Sequence, residues 1–158
     1  MSTTVVRQAA LADLDALATL FDQYRQFQGK ASNLPAARSF LLDRFDHGES
    51  VVFIAFVAQA AVGFAQLYPS FSSVTLSRVF ILNDLFVSEG GRRKSVASQL
   101  LAALEAYAWA LGSSRVTLNV ARENTSAQEL YRSGGWKQDE QFFMYHRFPE
   151  AVSSRSEA

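Results

Sequence analysis

The chain has 158 residues, 49% of them apolar and 13 of them Phe, enough for one domain with a substantial core and too apolar for disorder. Its 15 Lys and Arg balance 15 Asp and Glu, which argues against a general nucleic-acid or acidic-membrane binder. The absence of cysteine excludes a disulfide framework, a thiolate nucleophile and a Cys-based metal site, and His47 and His146 show no metal-ligand spacing.

Taken in chain order, "TTVVRQA" reads as a leading strand. Asp13 is placed to N-cap a helix over roughly 13–28, with Leu14, Leu17, Phe21, Tyr24 and Phe27 at three- and four-residue steps and Gly29 at its end. Pro35 suits the first turn of a short second helix that carries Phe40, Leu41 and Phe45 and closes at Gly48. "VVFIAFV" reads as a buried strand, "AQAA" as a tight connection, and a second strand follows through Leu67. "PSFSSVTLS" reads as a Ser-rich loop before a strand through "VFILNDLFV".

No charge occurs between Glu49 and Arg78, yet Gln59, Gly63, Gln66 and Pro69 interrupt that run, and a spanning helix needs about 20 apolar residues. Its Val, Ile and Phe suit strands, so no membrane segment is expected. The N-terminus lacks the apolar core of a signal peptide, which points to a cytoplasmic protein.

Val96, Leu100, Leu104, Tyr107 and Leu111 form one helical stripe that Gly112 stops. "RVTLNVA" is a further strand, and "NTSAQELYRSGG" a short helix capped by Asn124 or Thr125. "WKQDEQFFMYHRF" suggests a hairpin turning near Asp139–Glu140, and residues 150–158 form a loose tail. The expectation is a single mixed α/β domain over 1–149 with no internal repeat.

One junction invites chemistry. "NDLFVSEGGRRKSVASQLL" runs from a strand through a glycine pair and a basic triplet into a helix, where free backbone N–H groups and the dipole suit an anion. Arg92, Arg93 and Lys94 oppose the dipole at that end, which makes more sense if an anion binds there. The pattern is neither GxxxxGK[ST] nor GxGxxG, so the nucleotide loops of kinases and dehydrogenases do not apply.

These residues resemble the GNAT (Gcn5-related) N-acetyltransferases. The family's Gln/Arg-x-x-Gly-x-Gly/Ala signature reads here Arg92, Arg93, Lys94, Ser95, Val96, Ala97, and its Asn-x-x-Ala-x-x-x-Tyr-x-x-x-Gly-Phe pattern reads Asn124, Ala127, Tyr131, Gly135, Trp136. The element order over roughly 3–148 also fits, and the tone of "YPSFSSVTLSRVFILNDLFV" is nearest the polyamine and Hpa2-like members. The resemblance implies an acyl-CoA N-acyltransferase fold, a three-layer α/β/α arrangement on a mostly antiparallel sheet. It implies acetyl-CoA as co-substrate and no metal. Leu85, Phe86 and Val87 would pair with the pantetheine arm. Amides of Arg93 to Ser98 would hold the pyrophosphate with Arg92, Arg93 and Lys94 nearby, and Asn124, Ala127 and Tyr131 would lie along the cofactor.

Ser95 stands where the family has glycine. If it belongs to the first helical turn, nothing is strained and its hydroxyl adds a donor, so the clamp is expected to survive the change. Tyr131 is the expected general acid for the departing thiolate, a thiol having a pKa near about 8.5 and Tyr about 10, and the Val87 N–H is the expected carbonyl donor. The base is open. Asn83 stands where polyamine-type relatives have a glutamate, and it can hold only a water or the amine. Asp84 points to the opposite face of a regular strand and serves only if the strand bulges there. A water chain is the third option.

Acceptor contacts are expected from Phe21, Tyr24, Phe27, Tyr68 and Phe71, with Asp22, Asp46 and Glu49 near in sequence, which suits a cationic small amine or polyamine. A peptide or protein lysine is the second choice of acceptor. The competing reading is a catalytically silent acyl-CoA-binding sensor, favoured by Ser95 and Asn83. A homodimer through Trp136, Phe142, Phe143 and Tyr145 is also expected.

Overall fold

The computed structural model describes residues 3–92 and 95–150. The elements are β1 (Thr4–Gln8), α1 (Leu14–Phe27), α2 (Leu34–His47), β2 (Val51–Val57), β3 (Ala60–Ser72), β4 (Ser77–Val87), α3 (Val96–Ala110), β5 (Val116–Leu118) and α4 (Thr125–Ser133). Short 3-10 turns cover Leu11–Asp13 and Glu89–Gly91. The chain groups into two compact units, one ending at Asn124 and one beginning at Thr125.

The first unit holds a five-stranded sheet in the order β1-β2-β3-β4-β5, antiparallel throughout except for the parallel β4–β5 pair. This is the mixed, mostly antiparallel sheet expected. Side chains alternate across a strand, so the two faces of β2 carry different layers. Val52 and Ile54 join Leu14, Leu17, Phe21 and Leu41 in the core under α1 and α2. Phe53, between them, meets Tyr107 of α3 at 5.6 Å on the other face. Helix α3 buries Val96, Leu100, Leu101, Leu104 and Ala108 there. Leu111, expected in that stripe, is 49% exposed because the helix has already ended.

Local signals place most boundaries. Pro35 sits in the first turn of α2, whose start is capped by the Asn33 side chain accepting from Ala36 N–H at 3.2 Å. Gly48 ends it at φ 62, the left-handed conformation that glycine adopts without a Cβ penalty. Asp13 caps differently from expectation. Its carboxylate makes no forward cap bond but reaches back to Ala10 N–H at 2.8 Å and takes both Arg7 terminal nitrogens at 2.8 Å.

Three expectations are corrected. The "PSFSSVTLS" stretch is not a long loop, since β3 and β4 pair out to Ser72 and Ser77 and leave a tight turn between them. Strand β5 is shorter than "RVTLNVA", spanning only Val116–Leu118. In the second unit the C-terminal hairpin is absent, residues 137–149 carrying neither helix nor strand among the described residues. Phe142 to Tyr145 is apolar at every position, so it has no polar face to give water, and no strand of its own unit covers it. The turn itself exists as an Asx turn, Gln141 N–H donating to Asp139 Oδ1 at 3.0 Å. Among the described residues no helix is long and apolar enough to cross a membrane.

Gly91 is buried beneath the bend after β4, and a Cβ there would stand 2.9 Å from Val62 Cβ and 3.0 Å from Val87 Cγ1. Overpacking of this kind costs about 1–3 kcal/mol. Gly91→Ala is therefore expected to lower the urea midpoint, and Val62→Ala in the same chain to recover part of that loss. Independent, additive losses would show that the contact is not the cause.

Candidate active site

The site starts at a break in the β3–β4 pairing. Gln66 faces Asp84 and Leu67 faces Leu82, which leaves Asn83 as an extra residue without a partner across β3. A bulge of this kind resets the alternation of a strand. Before it, Phe80 meets Tyr107 of α3 at 5.8 Å; after it, Phe86 meets Tyr24 of α1 at 5.9 Å. Asp84 thus lies on the α1 face, the arrangement on which its candidacy depended. Strand β5 stops at the same level, pairing Phe80, Ile81 and Leu82 and nothing further. From Asn83 to Val87 the second edge of β4 has no strand partner among the described residues.

Asp84 is 6% exposed. Its Oδ2 accepts from Gln66 Nε2 at 2.8 Å and its Oδ1 from Asn83 Nδ2 at 3.1 Å, and Tyr24 donates to it as well. Burial raises its pKa above the usual carboxylate range, and these three hydrogen bonds only partly offset the effect. Tyr68, across the floor, is pushed up to about 12, first by burial and then by the Asp84 charge, so it stays a hydroxyl. Gln66 is fully buried, and its Oε1 meets no donor among the described residues.

Above Asp84 lies a cleft of about 470 Å³ between α1, α2 and the sheet. Phe21, Tyr24, Phe40 and Tyr68 give it an aromatic wall, with Asn83 and Asp84 at the strand side. Phe21 stacks on Phe40 at 5.8 Å and Tyr24 at 6.3 Å. Three of the five expected acceptor aromatics, Phe21, Tyr24 and Tyr68, line this cleft, while Phe71 and Phe27 do not. Phe71 is 70% exposed near the hairpin tip, with the Arg78 guanidinium 5.2 Å from its ring centroid, because β3 carries it beyond the cleft on the opposite parity to Tyr68. Phe27 is also outside, exposed beside Arg92.

The expected carboxylates are otherwise engaged. Asp22 is buried and accepts from Asn33 N–H at 2.8 Å and Ser32 Oγ at 2.7 Å, bonds that hold its pKa low and tie α1 to α2. Glu49 pairs with Arg44 at 3.0 Å, and Asp46 is exposed away from the cleft. Conversely, Phe40, Gln66, Arg25 and Lys30 join the site without a site role expected from sequence. Gln66 had a signal, a polar residue on the inward parity of a buried strand.

Beyond Val87 the chain turns through Glu89–Gly91, and Arg92 Nε donates back to the Val87 carbonyl at 3.1 Å. Arg93 and Lys94 lie outside the described residues. Ser95 is not in the first turn of α3 but is its N-cap, at φ 55 and ψ 25. The expectation of an unstrained serine is therefore corrected, because this left-handed region costs an L-residue with a Cβ roughly 1–2 kcal/mol. Val96, Ala97 and Ser98 follow in the first turn, Val96 buried and Ser98 exposed, with N–H groups that no intrahelical carbonyl takes. Asn124 ends the first unit, its N–H donating to Ala121 O at 3.0 Å. In the second unit Ala127 and Tyr131, four residues apart, share a face of α4. Tyr131 packs on Trp136 at 5.8 Å, and burial raises its pKa.

The Acetyltransferase (GNAT) family model matches residues 14–136. The chain is 43% identical over 140 residues, 89% of its length and 94% of the relative's, to the uncharacterized N-acetyltransferase YhfO of Bacillus subtilis strain 168. Among solved structures, a probable acetyltransferase matches at TM-score 0.87 and 39% identity, covering 92% of this chain and 97% of that one. The aminoglycoside N-acetyltransferase AAC(6')-Iy in complex with CoA shares the fold at TM-score 0.79 and 23% identity, covering 93% and 96%.

Two outcomes follow from this geometry. Replacing Ser95 by glycine removes the left-handed strain while adding glycine's backbone entropy of about 0.5–1 kcal/mol, so Ser95→Gly should gain up to about 1 kcal/mol. Scanning calorimetry should then read a Tm higher by about 2–4 °C at most, and a lower Tm would contradict the strain. For Asp84, the raised pKa means that the protonated carboxyl favours the fold. That contribution is whole below the ordinary carboxylate range and is lost as pH rises through the raised value. Asp84→Asn should therefore flatten the loss of stability with rising pH, which denaturant titrations from pH 4 to 9 would test.

Proposed function

This chain belongs to the GNAT acetyltransferase family, and from that premise we propose that it moves the acetyl group of acetyl-CoA to a small primary amine held in the cleft. The observation that carries the reading is the Asn83 bulge, which opens one edge of β4 and places Asp84 beside the cleft. The same match runs across both units, which supports one catalytic domain over 1–149.

The residues present fit acetyl-CoA. Leu85 to Val87 offer a strand edge for an amide-bearing arm, and the amides of Val96, Ala97 and Ser98 offer donors for a pyrophosphate, with Arg92 beside them. Arg93, Lys94 and Ser95 complete the proposed anion loop, and Asn124, Ala127 and Tyr131 the cofactor arm. Bound there, acetyl-CoA supplies an activated thioester. Asp84 takes the proton that the attacking amine loses, its burial having raised its pKa toward that of the donor. Asn83 Nδ2 and Gln66 Nε2 hold the carboxylate in orientation. The Val87 N–H faces developing charge on the carbonyl oxygen. Tyr131, kept protonated by burial, donates to the leaving sulfur.

A polyamine acceptor and a protein lysine are the finer alternatives, and a silent acyl-CoA sensor is the rival of another class. A cytoplasmic homodimer completes the proposal, associating through the exposed Phe142, Phe143 and Tyr145 with the half-buried Trp136.

The test is amine-dependent release of CoA thiol together with calorimetric titration of acetyl-CoA. Removal of a general acid or base typically costs about 10²–10⁴-fold, so Asp84→Asn and Tyr131→Phe should lower kcat by that order while acetyl-CoA still binds. Acetyl-CoA binding without release for any amine would leave the sensor. No binding at all would sink both readings.

A further inference from the structure

The cleft that receives the acceptor is not an acidic one. Two of its lining residues are cations, Arg25 from the last turn of α1 and Lys30 from the connection to α2. Neither is held in a side-chain hydrogen bond or ion pair with another described residue. Arg25 lies close enough to Asp22 to help lower its pKa, but Asp22 spends its oxygens on Ser32, Asn33 and Gln26. The lining has a single carboxylate, Asp84, which already accepts from Gln66, Asn83 and Tyr24. Arg25 and Lys30 reach the cleft from α1 and the connection after it, Asp84 and Asn83 from β4, so its cations and its carboxylate come from different elements. A cation near a helix C-terminus is favourable in itself, which accounts for Arg25 on α1 but not for Lys30 beyond it.

Resting on the acetyltransferase reading, we propose that the natural acceptor is a primary amine that also carries an anionic oxyacid group, a carboxylate or a phosphate, bound by Arg25 and Lys30. The amine end sits among Tyr24, Tyr68 and Asp84, and the anion reaches the guanidinium and ammonium, which match it in charge and donors. A polycationic acceptor would set its second charge against those two cations with no acidic lining to receive it. The inference therefore parts from the polyamine assignment.

The experiment uses the full chain with acetyl-CoA and acceptors of matched length: 4-aminobutyrate, its amide, 3-aminopropyl phosphate and 1,4-diaminobutane. The expected result is a kcat/KM at least about tenfold higher for an anionic acceptor than for the diamine. The carboxylate and phosphate arms decide between the two oxyacids. Lys30 is exposed, so Lys30→Glu should fold, and it should reverse the order in favour of the diamine. Equal or better turnover of the diamine by the unaltered protein overturns this inference and leaves the acetyltransferase reading standing. If no amine supports CoA release, that reading fails instead, and calorimetric titration of the same compounds into the CoA-loaded protein decides the inference. Tighter binding of the anionic amine supports it; tighter diamine binding, or none by any compound, overturns it.

Discussion

One unpaired residue, Asn83, sets the geometry on which the site depends. Without it, β4 would keep a single alternation and Asp84 would face α3, away from the aromatic cleft. With it, Phe80 packs on Tyr107 of α3 while Phe86 turns to Tyr24 of α1 and Asp84 with it. The same level marks the end of β5, so the change of face and the open edge begin together. A bulge shared by face choice and edge exposure is a strong local constraint, because moving it by one residue would undo both.

Around that point the fold accepts two local costs. Burying the Asp84 carboxyl disfavours its charge, and the bonds from Gln66, Asn83 and Tyr24 offset this only in part. Ser95 holds a left-handed conformation at the start of α3 where its Cβ is unwelcome. Both lie next to the surfaces assigned to the reaction, and the remainder of the first unit shows ordinary apolar packing under α1, α2 and α3. The other non-glycine residues at positive φ, Ala58, Gln59 and Leu76, lie in the turns between β2 and β3 and between β3 and β4.

Much of this architecture was legible in the residues. Periodicity located α1 and α3, Pro35 and Gly48 bounded α2, and the Val- and Phe-rich runs gave the strands. The strand-to-helix junction after Val87 was legible because a glycine pair, a basic triplet and an apolar stripe adjoin there. Bulges were not legible, since Asn83 and Asp84 differ from a regular strand only through their pairing with Gln66 and Leu67. The backbone of Ser95 was also hidden, as serine tolerates several caps. Phe71 lies outside the cleft because β3 runs on to Ser72, a length that its residues do not signal. Arg25 and Lys30 look like solvent-facing residues until α2 folds back beside them. The C-terminal hairpin does not form, and Phe142 to Tyr145 lack the alternation that a one-sided strand needs.

The neighbour-to-neighbour order of β2, β3 and β4 has a consequence for chain entropy. These strands close through very short turns, the first at Ala58–Gln59 with both residues at positive φ, so their pairing fixes little intervening chain. Strand β5 differs: α3 intervenes between it and β4, and the pairing it gains is only the register of Phe80, Ile81 and Leu82. Loop length itself adds slowly, about 0.6 kcal/mol per doubling, so the imbalance lies in the meagre pairing gained. The sheet is therefore least cooperative along the β4–β5 seam. The corner proposed to admit a long, flexible co-substrate is the one where the sheet has the fewest paired residues.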